Sequence, residues 1–232
     1  MSYDRVQFQQ KLERWRSYMV DFRLPTWESL PDMELYMDQV ISLVNRYLNL
    51  IPQDDTNPVI TASAVNNYVR LRMMPAPERK RYRRHHMACV IMICILKQSL
   101  TLAEIQRILP VEMTEENIRQ TYHAFVGKMA STTDLFIDQV AEVADQVLTP
   151  ENDHGCDSLI LHSAVSSVLY KLLTAKLSAL QTLPSAELES IITQPLSRLR
   201  FFFTPGRPDC PGDGVSGCGG DYGSGDGSAY FA

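Results

Sequence analysis

The chain has 232 residues, 45% of them hydrophobic, and its 22 Lys plus Arg against 27 Asp plus Glu give a net charge of −5. This length can bury one sizeable core or two smaller ones, and the sign of the charge gives no overall attraction to nucleic acid or to anionic membrane. The longest uncharged apolar run, Met87 to Leu96, is about half the ~20 residues that cross a bilayer, and the opening MSYDRVQFQQKLERW is too polar for a secretory signal.

Those features predict a cytoplasmic protein without a membrane partner. The five cysteines agree, because Cys89 and Cys94 lie in the apolar run, Cys156 in a predicted loop, and Cys210 and Cys218 near the end, which is no disulfide framework.

Hydrophobic period predicts an all-α chain. Phe8, Leu12, Trp15 and Met19 mark one face of a first helix that ends at Leu24-Pro25. Met33, Met37, Val40, Val44 and Leu48 mark a second, beginning near Pro31 and Asp32, and residues 49–60 form a loop. Thr61 caps a short third helix that runs to about Leu71, where MPAP stops it. The apolar run after His86 is the fourth. Thr101 with Glu104 forms a capping box for a fifth, closed by Pro110, and Thr114 with Glu115 and Glu116 opens a sixth.

Downstream, DLFIDQVAEVADQVL and DSLILHSAVSSVLYKLLTAKLSALQTL predict two further helices, with a last one near residues 185–200. The second of these carries Leu161, Val165, Val168, Leu172, Ala175 and Ala179 on one stripe and Leu169, Leu173, Leu177 and Leu180 on another. A helix apolar on two sides is central in a bundle or shared with a second subunit, and a homodimer is the expectation. Nine of the eleven glycines follow residue 205, so residues 205–232 are expected to be a disordered tail. Its single GGDYGSGDG is one copy of a calcium-repeat-like pattern that needs about three copies to stack.

Charge is unevenly distributed. Residues 61–100 hold eight cations and one acid, a local +7, and five of the cations occupy six positions at 79–84, RKRYRR. A basic island in an acidic body is a site rather than a solubility device. Around it stand a capped helix presenting Ser63, Asn66, Asn67 and Arg70, a turn, the basic segment, a buried helix and a capped one. That order suits a winged helix-turn-helix, in which a helix end reads base edges and wing cations hold phosphates.

The segments AVNNYVRLRMMP at 64–75, YRRH at 82–85 and SLTLAEIQRIL at 99–109 resemble the DNA-binding domain of mercury-resistance-type (MerR) regulators. Residues 20–110, with LPTWESLPDMELYMDQVI, NNYV and ILKQ, resemble more closely a bacterial family considered MerR-like, domain of unknown function 1836. The resemblance implies a MerR-like DNA-binding domain at 24–110, and the hydrophobic period adds an N-terminal helix at 1–23 before it and a helical dimerisation or effector domain at 111–204 after it. The resemblance makes Val65 and Tyr68 packing positions, Asn66, Asn67 and Arg70 DNA-facing, and Tyr82 and Arg83 the phosphate-gripping pair of the wing. With Thr61, Ser63, Arg79, Lys80, Arg81 and Arg84 these form the expected DNA-binding set. The chain has Asn66-Asn67 where the MerR pattern has Arg-Tyr, Arg81 where it has Gly, and His85 where it has Tyr.

No phosphate loop, nucleophile elbow or zinc-type cysteine pair is present, and no base and nucleophile pair up, so no enzyme activity and no cofactor is expected. His154, Cys156, Asp157 and His162 are near in sequence but read as a polar loop, and no metal is expected. The expected function is sequence-specific transcriptional regulation on double-stranded DNA. The alternative is a helical protein-interaction or RNA-binding module that uses the basic face for an acidic partner. The sequence does not name a small-molecule or protein effector.

Overall fold

In the computed structural model, residues 5–52 and 58–180 are described. His86 through Cys94 are buried consecutively, which places the helix that carries them at the centre of the main core. This is α4 (Arg84–Leu96), flanked by α2 (Met37–Tyr47), α5 (Leu102–Ile108) and α6 (Glu115–Val147). Before and between them lie α1 (Arg5–Asp21) and α3 (Ala62–Arg70), and α7 (Gly155–Leu180) ends the described chain. Among the described residues there is no strand, only two isolated antiparallel bridges, Leu35 with Tyr82 and Glu78 with Arg81.

The caps are as expected. Thr61 Oγ1 accepts the Ala64 amide at 3.2 Å, Thr101 Oγ1 that of Glu104 at 3.3 Å, and Thr114 Oγ1 that of Asn117 at 3.2 Å. Glu104 completes its box by accepting the Thr101 amide at 2.8 Å.

Two helix boundaries differ from expectation. The second helix starts at Met37 and not near Asp32, because Leu35 is extended and exchanges backbone hydrogen bonds with Tyr82. The two helices expected at 114 and 134–148 are one 33-residue α6, roughly 50 Å long at 1.5 Å per residue. No proline interrupts it, and Gly127 lies in open space where a glycine costs only propensity. Cys156 is also in the first turn of α7 and not in a loop. The helix expected at 185–200 and the Gly-rich tail lie outside the described residues.

Two clusters make the core. The larger runs from Leu24 to Tyr122 and includes Trp27, Leu30, Val40, Val44, Val65, Tyr68 and Met87 to Cys94 of α4. The first turns of α6 belong to it through Ile118 and Tyr122, whose hydroxyl donates to the Pro25 carbonyl at 2.8 Å, so this core extends past the expected boundary at residue 110. The smaller joins Ala144, Leu148, Cys156 and Leu159, with Phe8 and Leu12 packed against them. There Arg5 donates to the Thr149 carbonyl at 2.9 Å, a cation set at the end of α6 where the helix dipole is negative.

Candidate nucleic-acid interface

The basic island folds into a tight turn. Glu78 to Arg81 closes with the Arg81 amide on the Glu78 carbonyl at 2.8 Å, and the two central residues, Arg79 and Lys80, have φ of 48° and 63°. Two consecutive left-handed residues are the geometry of a type I′ turn, which Asn-Gly adopts without strain and long side chains do not. Arg79 and Lys80 are both exposed, and the ion pairs of the turn run through Arg83 and Arg84 rather than through either of them.

The turn is fixed from behind. Tyr82 is 3% exposed, its amide donates to the Leu35 carbonyl at 2.9 Å, and its carbonyl accepts from the Leu35 amide at 2.8 Å. The ring meets His86 edge-on at 5.5 Å, and the Arg83 amide donates to His86 Nδ1 at 2.9 Å, which starts α4. Burial, with His85 beside it, pushes the His86 imidazole down to about 4, so its Nδ1 stays an acceptor at neutral pH.

The remaining cations of the island are engaged. Arg81 stacks on Tyr36 with its guanidinium 3.5 Å from the ring centre. Arg83 meets Glu34 at 2.8 Å and Glu78 at 3.6 Å, and its hydrogen bond holds the Glu34 carboxyl below the usual carboxylate range. Arg84 donates to the Leu30 carbonyl at 3.2 Å, lies 3.6 Å from Asp32 and sits over Trp27. Tyr82 and Arg83 therefore do not form an open gripping pair, because one is core and the other is held by two carboxylates. Glu34, Asp32 and Tyr36 sit in LPDMELYMDQ, more than forty residues before the cations they meet, and nothing in the spacing of RKRYRR signals them.

On α3 the expected sides hold except at Asn67. Val65 and Tyr68 are buried, and Thr61, Ser63, Asn66 and Arg70 are exposed. Asn67 is half-buried, and its Oδ1 accepts from Arg70 at 2.7 Å, so its side chain is partly spent within the helix. The long loop before α3 is anchored near its end: Lys97 Nζ donates to the Val59 carbonyl at 2.9 Å and Ile60 donates to Asn45 Oδ1 at 3.3 Å. Behind the helix, Gln106 of α5 donates to the Leu71 carbonyl at 3.1 Å.

Residues 25–125 match the family described as Domain of unknown function (DUF1836). The matched span coincides with the larger core, from Leu24 to the first turns of α6, and contains the turn and α3. No curated protein and no solved structure matches the chain.

Proposed function

We propose that this unit is a non-catalytic, sequence-specific DNA-binding regulator of the MerR-like kind, with the turn at 78–81 as its wing. The observation that carries the reading is the backbone of Arg79 and Lys80. A non-glycine residue in the left-handed region is uncommon and costs of order 1 kcal/mol, and strain of this sort collects at functional sites. Two exposed cations placed at the tip of such a turn suit phosphate contact. Asn66, on the exposed side of α3, has the donor and acceptor pair that matches adenine, and Ser63 stands one turn before it. The expected set narrows accordingly. Arg79 and Lys80 hold phosphates, Ser63, Asn66 and Arg70 face bases, and Arg81, Tyr82, Arg83 and Arg84 hold the wing in shape.

A second reading has its own support. Tyr36 is 50% exposed beside Arg81, and Met33 is 65% exposed close by in sequence. An open aromatic next to cations suits unstacked bases, which favours RNA. A gel shift of the full chain on random-sequence double-stranded DNA, with single-stranded RNA as competitor, separates the two. DNA complexes that survive a molar excess of RNA support the regulator, and loss of the shift at equimolar RNA supports the second reading.

A further inference from the structure

Helix α7 ends against α5. Ala179 is 1% exposed and the Ser178 hydroxyl donates to the Glu104 carboxylate, so the chain leaves Leu180 beside the first turn of α5. Glu104, Arg107 and Ile108 share one side of that helix by their spacing of three and four residues. Gln106 in turn joins α5 to the end of α3, donating to the Leu71 carbonyl at 3.1 Å. Together these two helix ends expose Leu71, Ile108 and Val111, the last of them fully, among the cations Arg70, Arg72 and Arg107.

Arg72 ends α3 with a φ of 56°, a left-handed position where glycine is the usual residue. An arginine held there at a cost in backbone strain sets a guanidinium at the rim of the apolar group. Among the described residues none of Arg70, Arg72 and Arg107 takes part in an ion pair, unlike Arg83 and Arg84 of the basic turn. The acids nearby are Glu112, next to Val111, and Glu104, which Thr101 and Ser178 already hold.

We propose that residues 183–192 of the same chain, LPSAELESII, cover this face. They lie outside the described residues, and their length, pattern and charge suit it. Pro184 turns the chain just past the end of α7, and Ser185 followed by Glu187 is a helix start. At helical spacing Leu188, Ile191 and Ile192 share one side, with Glu187 and Glu189 about 100° to either side of Leu188. An apolar ridge flanked by two carboxylates thus meets an apolar group flanked by three guanidiniums. From Leu180 to Glu187 the chain spans up to roughly 23 Å. The seven residues of α5 rise about 10 Å, so both carboxylates reach Arg107 and the end of α3 beyond it. Since Arg70 is part of the face, the docked segment closes a portion of the side that α3 offers to bases. This consequence rests on the proposed DNA reading, and the docking itself does not.

The test uses the full chain with Cys210→Ser and Cys218→Ser, the other three cysteines being buried. A short bismaleimide added to Ile108→Cys/Ile191→Cys should join the two positions within one chain, at a yield independent of protein concentration. The yield should be well above that of Leu169→Cys/Ile191→Cys, in which the segment would have to return along exposed α7. Glu187→Arg/Glu189→Arg should lower it about fivefold, as the loss of two surface ion pairs does, and adding Arg72→Glu/Arg107→Glu should restore it. If Ile108→Cys misfolds, Val111→Cys makes the same measurement from a fully exposed position. A link that forms only between copies, a link to Leu169 at the same yield, or a yield indifferent to the charge reversals overturns the docking. Saturating random-sequence duplex should lower the link. An undiminished link in a chain that binds the duplex overturns the closure over Arg70, whereas a chain that binds no duplex removes the DNA reading and leaves the cross-links to decide the docking.

Discussion

Leu35 and Tyr82 exchange two backbone hydrogen bonds, at 2.8 and 2.9 Å, across 47 positions of chain. This single bridge ties the segment before α2 to the base of the basic turn. It buries the Tyr82 ring and leaves Arg79 and Lys80 at the exposed tip. The turn is thus held by groups behind it, and its tip residues are free to be chosen for something other than stability.

Replacing Arg79-Lys80 by Asn-Gly tests that separation. Asn-Gly fits a type I′ turn, so the double variant should be more stable than the parent by about 1 kcal/mol while losing affinity for DNA. Thermal melts and a duplex titration read the two effects. A variant that is destabilised would show that the left-handed backbone at 79–80 carries no strain.

Arg83 and Arg84 should behave differently from the tip. Arg83 and Glu34 are each about half exposed and water screens the pair, so Arg83→Ala should leave stability nearly unchanged. Arg84 is mostly covered, donates to Leu30 and lies over Trp27, so Arg84→Ala should cost about 1–2 kcal/mol. Urea unfolding of the two variants measures the difference, and neither should change the salt dependence of DNA binding.

Much of this arrangement is legible in the sequence, and the illegible part has a physical cause. Thr61, Thr101 and Thr114 announce their helices because a cap acts within one turn, and the uninterrupted apolar run announces α4 because a helix buried on all sides needs no polar face. The partners of Arg81, Arg83 and Arg84 are set by the Leu35–Tyr82 bridge, a pairing distant in sequence that leaves no periodic trace. The start of α2 is misplaced for the same reason, since Met33 fits the helical spacing of Met37 and Val40 but sits outside the helix in the stretch that leads to the bridge. Gly127 and the polar stretch ASTTD invite a break in α6 that continuous packing against α1 and α4 removes.

Acid should loosen the base of the turn. His86 is buried, its imidazole is pushed from about 6.5 down to about 4, and burial lowers His85 in the same direction against the pull of Glu115. Between those values the unfolded chain binds a proton that folded His86 refuses, so stability is full above about pH 6.5 and falls as pH drops towards 4. The loss should be about 2–3 kcal/mol over that window, since protonation also removes the acceptor of the Arg83 amide. His86→Asn, which keeps an acceptor for that amide, should show a flatter pH profile in denaturant unfolding than the parent.

Gly155 should tolerate no side chain. A Cβ there would collide with the Val147 carbonyl oxygen, a backbone atom that cannot swing aside. Gly155→Ala should cost about 1–3 kcal/mol by forcing α6 and α7 apart at their junction, whereas Gly127→Ala, which meets nothing, should be neutral or slightly stabilising. Guanidinium unfolding of the two variants makes the comparison.

The measurement that bears most directly on the proposed function is the slope of log affinity for double-stranded DNA against log salt concentration, taken for the parent chain and for Arg79→Ala/Lys80→Ala. If these two cations hold phosphates, the double variant should flatten the slope by about 1.8, which is about 0.9 for each phosphate no longer neutralised, with its fold intact. An unchanged slope, or a parent chain that binds duplex DNA at no salt concentration, would contradict the assignment of the turn as a DNA-contacting wing.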